Sequence, residues 1–256
     1  MTVRENMPNI ELTESPLLVS VSGSGIANVV LNRPRFLNAM NHDMMRELAT
    51  TLRALEANPA VRVVALSGAG RGFSSGWDRA DGSDQSNREA LEIDALGREV
   101  MIALGEMRTT LTVAGLHGPV VGGGALIAVG CDIRVAATDT FLLMPEIAFG
   151  NPILWTGLAP FVREIGMSRT RYLVMSNQRV DAAWCLTAGL VHEVVPAGQL
   201  DDRVGQLALE LASIPSRGIQ LMKDDFGRLA PTHSDHHGHT ALTVLESLTA
   251  GSFQNL

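Results

Sequence analysis

Short β-rich runs alternate with helical stretches along most of this chain, and that alternation limits its fold more than any other feature. "LLVSVSG" and "IANVVLN" are separated by Gly23-Ser24-Gly25, a hairpin signal. "VRVVALSG", "TLTVAGL" and "CDIRVAA" are further strand-like runs. "HDMMRELATTLRALEANP" places Met44, Met45, Leu48, Leu52 and Leu55 at helical spacing, and Pro59 closes it. "SNREALEIDALGREVMIALGEMR" is a long helical stretch, and "HGPVVGGGALIAVG" turns into a short apolar helix. From "GLAPFVREIG" onward the chain reads as mostly helical, with periodic stretches at 168–177, 181–188 and 199–213. This order predicts an α/β core with a helical extension. Composition shifts fall at the polar loop "DRADGSDQSN" and near Ile214-Pro215.

Composition removes several classes of function. The 256 residues suit one large domain, or a core with a small appendage. Hydrophobic residues are 46% of the chain, enough for a sizeable core. A net charge of -7 argues against nonspecific nucleic-acid binding and against a polybasic membrane surface. It leaves room for a small anionic ligand, which needs only a local basic patch. Cys131 and Cys185 are the only cysteines, so a disulfide framework is not expected and a reducing, cytoplasmic setting is. No apolar run reaches the length of a transmembrane helix. The start, "MTVRENMPNIELTESP", has no apolar core of the kind a signal peptide needs.

Two glycine-rich turns follow strand-like runs: "GAGRGFSSGWD" and "GPVVGGGAL". Glycine lets a ligand approach the backbone closely. If each turn ends at a helix start, two N–H groups can be aimed at one oxygen atom, which is an oxyanion hole. The plainer reading is that these glycines serve tight turns and strand–helix packing. A dinucleotide fingerprint fails on spacing in both "GSGIAN" and "GAGRGF", and no P-loop motif is present.

Five segments, in order, resemble the crotonase superfamily, the enoyl-CoA hydratase/isomerase family. They are "VVLNRPRFLNAMN", "VVALSGAGRGFSSGWD", "VVGGGALIAVGCDIRVAA", "LLMPEIAFG" and "AGLVHEVVP". The resemblance implies a ββα spiral core over residues 1–196 and a C-terminal helical trimerisation region over 197–256. It implies an acyl-CoA thioester as ligand, with coenzyme A entering as part of the substrate rather than as a cofactor. The N–H groups of Trp77 and Gly123 would form the oxyanion hole. Trp77 needs only its backbone for this, so its indole is free to wall the acyl pocket; an ordinary core indole is the alternative. Phe36, Ala39, Ser74, Ser75, Gly76 and Asp78 match coenzyme- and substrate-contacting positions, with Arg35 and Arg71 as phosphate contacts or plain surface arginines.

The resemblance also assigns a base. Hydratases of the family use two glutamates. Glu146 matches the second; the first falls at Leu126, which can neither hold a proton nor orient water. Family isomerases show this same pattern. A single carboxylate can remove a proton from C2 of a 3-enoyl thioester and return it at C4. Burial in an apolar pocket would raise its pKa, which suits both steps. A helix-start acid is the other reading of "MPE". The family's "PGAGG" run is replaced by "AFGNPILWTG", so Pro152, Ile153, Leu154 and Trp155 make this wall bulkier and more apolar.

His233, His236, His237 and His239 cluster in "THSDHHGHT", but no cysteine or clustered carboxylate completes a metal site, and none is expected. The expectation is an isomerase with Glu146 as single base, assembled as a homotrimer or a hexamer. The alternatives are a hydratase or other lyase that recruits an acid from the 81–94 loop, and a non-catalytic acyl-CoA binder.

Overall fold

Five parallel strands and one antiparallel edge strand make the main sheet. The computed structural model describes residues 15–80, 87–155 and 157–229. The strand order is β1 (Leu17–Val21), β2 (Ile26–Leu31), β3 (Val63–Gly68), β4 (Leu111–Leu116), β6 (Ile133–Ala137) and β9 (Glu193–Val195). β1 pairs antiparallel to β2, as the hairpin signal predicts; the other pairs are parallel. A second sheet joins β5 (Pro119–Val121), β7 (Phe141–Leu143) and β8 (Val180–Asp181).

The parallel strands are covered on both faces, which is why they read as nearly unbroken apolar runs. Alternate residues separate cleanly. Ala27, Val29, Leu31, Val64, Leu66, Ala114, Leu116 and Ala136 face one core. Ile26, Val63, Ala65, Val113, Val135 and Ala137 face the other. The first core takes α1 (His42–Glu56) through Met44, Met45, Leu48, Ala49, Leu52 and Leu55, which includes every position read from helical spacing. Each methionine or leucine buried there is worth up to roughly 1.5–3 kcal/mol, so packing rather than propensity holds the helix. Asn41 caps it, accepting from Met44 N at 3.0 Å. α2 (Asn87–Gly105) packs on α1, and α3 (Gly123–Gly130) on α2.

The second core is closed by α6 (Leu200–Ala212), through Leu200, Val204, Leu207 and Ala208. α4 (Ala159–Met175), α5 (Ala182–Ala188) and α7 (Ser216–Leu229) are the other helices of the second half among the described residues. The break near Ile214-Pro215 separates α6 from α7. Lys223 anchors α7: its ammonium donates to Met107 O and Thr110 O at 2.8 Å and meets Asp132 Oδ2 at 2.7 Å. No helix among the described residues is long and apolar enough to cross a membrane.

Candidate active site

The two glycine turns meet, but only one leads straight into a helix. Gly122, at φ +51°, ends β5 and caps α3, whose first residue is Gly123. The expectation that the first turn also opens a helix is corrected. After Gly72 the chain runs extended, bridging β5 at Ser74 and the 37–40 segment at Trp77. Its backbone groups pair with β5 and with Met40 rather than within a helical turn. Ser74 N donates to Pro119 O, and Val121 N to Ser74 O. Met40 N donates to Gly76 O at 2.8 Å and Asp78 N to Met40 O at 2.9 Å.

That last pair orients Trp77. In a parallel bridge the groups flanking a residue bond to one side, and the residue's own N–H points to the other. Trp77 N–H therefore turns away from Met40, toward the β5–α3 side. Gly76 (φ +92°) makes the approach possible: a Cβ built there would sit 2.9 Å from Val121 O and 3.7 Å from Gly123 N. Among the described residues, neither Trp77 N–H nor Gly123 N–H is matched with an acceptor. Gly123 N–H is also at the positive end of α3.

Glu146 opens a 3₁₀ turn, Glu146–Phe149, which follows β7 after Met144 and Pro145. The same β5–β7 pairing that delivers Gly122 thus delivers the carboxylate, since Gly122 N donates to Leu143 O at 2.9 Å. A Cβ on Gly122 would stand 2.7 Å from Glu146 Oε1. Oε2 is buried with no hydrogen-bond partner among the described residues. Burial pushes the carboxyl up from 4.5 to about 7, against a smaller lowering by its own backbone amide. Asn151, whose N–H donates to Glu146 O, carries a second buried oxygen, Oδ1, without a partner.

The other residues singled out from sequence fall into two groups. Phe36 is 59% exposed, with the Arg33 guanidinium 4.8 Å from its ring centroid. Arg35 and Arg71 are exposed, and Ser75 is half-buried. These can reach a ligand. Ser74 is fully buried: its Oγ donates to Asn38 O and accepts from Gly76 N. It shapes the donor loop from beneath. Ala39 is buried, and its carbonyl accepts from Arg33. Asp78 pairs with Arg33 at 2.7 Å and accepts from Ala80 N, so its carboxylate ties the 33–40 segment to the donor loop. Leu126 lies in the first core, 2% exposed.

Several contributors were not legible in advance. Buried Asn38 accepts from Arg33 N and donates to Ala69 O and Gly72 O, joining the loops that carry the site. The Trp77 indole stands edge-on to His42, with ring centroids 5.0 Å apart. A different indole, that of Trp155, rests on Gly123. Asp94 is buried, accepts from Trp155 N at 2.7 Å and pairs with Arg98. Asp81, Asp84 and the histidine cluster lie outside the described residues, and no group of metal-ligating side chains occurs among the described ones.

Residues 22–252 match the family model described as enoyl-CoA hydratase/isomerase. The chain is 34% identical over 219 residues to the probable enoyl-CoA hydratase echA12 of Mycobacterium bovis, covering 82% of this chain and 76% of the relative. It is 30% identical over 204 residues to the short-chain-enoyl-CoA hydratase of Clostridium acetobutylicum, covering 79% and 78%. A monofunctional enoyl CoA isomerase from M. smegmatis superposes with a TM-score of 0.69 at 29% identity, covering 87% of this chain and 98% of that one. The chain belongs to the enoyl-CoA hydratase/isomerase family, the crotonase superfamily.

Proposed function

We propose that this protein isomerises the double bond of an enoyl-CoA thioester, with Glu146 as its single base. The thioester oxygen accepts from Trp77 N–H and Gly123 N–H. Glu146 removes a proton from C2 of the 3-enoyl thioester, and the electron pair moves onto the carbonyl oxygen as an enolate. The two N–H groups hold that charge. Glu146 then returns the proton at C4, giving the conjugated 2-enoyl product. The coenzyme lies along the exposed side of the 35–39 and 74–78 segments, with Phe36, Arg35 and Arg71 toward solvent.

The observation that carries this reading is the contrast between Glu146 and Leu126. One carboxylate is half-buried, has a buried Oε2 without a partner among the described residues and is pushed up to about 7. The position where a hydratase would hold its other acid is a core leucine. A base near neutrality serves both proton steps. The names of the relatives favour a second reading, hydration of a 2-enoyl thioester. That reaction requires another acid, and Asp94, in the stretch considered for it, is engaged by Trp155 N–H and Arg98.

Product analysis separates the two. The pure protein is incubated with 3-enoyl-CoA and, separately, 2-enoyl-CoA, and products are identified by mass spectrometry coupled to chromatography. Interconversion of the two enoyl isomers supports isomerisation. Dominant formation of 3-hydroxyacyl-CoA from the 2-enoyl thioester contradicts it.

A further inference from the structure

The Trp155 indole occupies a place prepared for it on two sides. A Cβ built on Gly97 of α2 would lie 2.1 Å from its Cδ1, Cδ2 and Cε2. A Cβ on Gly123 would lie 2.3 Å from its Cη2 and 2.9 Å from Met40 Cε. The ring is therefore wedged between α2 and the first turn of α3, and only 3% of Trp155 is exposed. By standard backbone dimensions its edge stands within about 5 Å of Gly123 N, the donor assigned to the thioester oxygen.

The backbone is held as firmly as the ring. Trp155 has φ +68°, a left-handed conformation that is uncommon for a bulky side chain. Strained backbone persists where its surroundings over-determine it. Here Asp94, buried and paired with Arg98, accepts the Trp155 N–H at 2.7 Å. Ile153 and Leu154 pack beside it against the same core. Neither the anchor nor the two glycine contacts lets the indole swing aside without loss.

We infer that Trp155 is a fixed wall of the acyl pocket and confines the enzyme to short acyl chains. This rests on the acyl-CoA reading above. An acyl group whose thioester oxygen sits on Gly123 N–H meets the indole edge soon after its reacting carbons. A long chain cannot continue on that side while the ring is in place.

The test is the affinity of butyryl-CoA against octanoyl-CoA, measured by isothermal titration calorimetry on the full chain. The wild type is expected to bind butyryl-CoA at least about tenfold more tightly, within the range one or a few misfitting methylenes can produce. Trp155→Ala should reverse that order, and Trp155→Phe should narrow the gap. If the alanine variant does not fold, the phenylalanine variant and the wild-type ratio still decide. Equal or tighter binding of octanoyl-CoA by the wild type would overturn the wall. So would a ratio left unchanged in a folded Trp155 variant. Failure of both thioesters to bind folded wild type would instead remove the acyl-CoA reading, and the wall with it.

Discussion

The Glu146 carboxylate rests on the Cα of Gly122, so close that a Cβ there would stand 2.7 Å from Oε1. The glycine that turns the chain into α3 is also the floor on which this carboxylate sits. Gly122→Ala is therefore expected to displace the carboxylate and to strain a backbone held at φ +51°. The expected outcome is a loss in kcat of roughly 10²-fold, the scale reported for misplaced reacting groups, with about 1–3 kcal/mol of destabilisation. Steady-state kinetics beside denaturant titration checks both, and a variant with wild-type kcat would separate Gly122 from the site.

The titration of Glu146 should appear in the pH–rate profile. As the proposed base, Glu146 works ionised, so kcat/KM is expected to rise with pH through an inflection at about 7 and to fall off in acid. The same shift has a stability signature of opposite sense. A carboxyl whose pKa is raised in the folded state, from 4.5 to about 7, favours folding below 4.5 and loses that contribution as pH rises through about 7. Glu146→Gln removes the ionisation. Relative to wild type it should gain stability between pH 5 and pH 8, on the order of 2 kcal/mol. Chemical denaturation at the two pH values checks this; an equal difference at both would place the shift elsewhere.

Much of the framework was legible because it is local. The helical spacing of Met44, Met45, Leu48, Leu52 and Leu55 named the face of α1 that is buried. The glycines of the two turns marked where backbone segments approach. What the sequence could not show is contact across distance. Nothing near Arg33 announces its partner Asp78, nor does anything near Lys223 announce Asp132. Gly97 looks like an ordinary helix glycine until the Trp155 ring is found against it. The strands β7, β8 and β9 are two or three residues long, too short for periodicity to reveal.

Leu126 sets the cost of converting the site. A carboxylate replacing it would enter a core position that is 2% exposed. Leu126→Glu is therefore expected to be destabilised by roughly 2–5 kcal/mol and to produce only a trace of 3-hydroxyacyl-CoA from a 2-enoyl thioester. Thermal unfolding and product analysis check the two parts. An unchanged Tm would show that position 126 opens to solvent.

We expect the chain to assemble into an oligomer. Met167, Tyr172 and Met175 of α4 are 52%, 51% and 66% exposed, and Phe226 and Leu229 of α7 are 68% and 82% exposed. Exposed apolar side chains of this kind are available for contact with further copies of the chain, and closed symmetry is the usual result of such contact. A homotrimer, or a dimer of trimers, is the expected species in light scattering; a stable monomer at micromolar concentration would contradict it.

The central claim is that one carboxylate carries the proton, and its most direct test is isomerisation by Glu146→Gln in deuterated water. The wild type should convert 3-enoyl-CoA and exchange the C2 hydrogen with solvent. The variant should still bind the thioester, since the amide keeps the shape, yet lose both conversion and exchange by roughly 10²–10⁴-fold. A folded Glu146→Gln protein that isomerises and exchanges within tenfold of wild type would take Glu146 out of the mechanism.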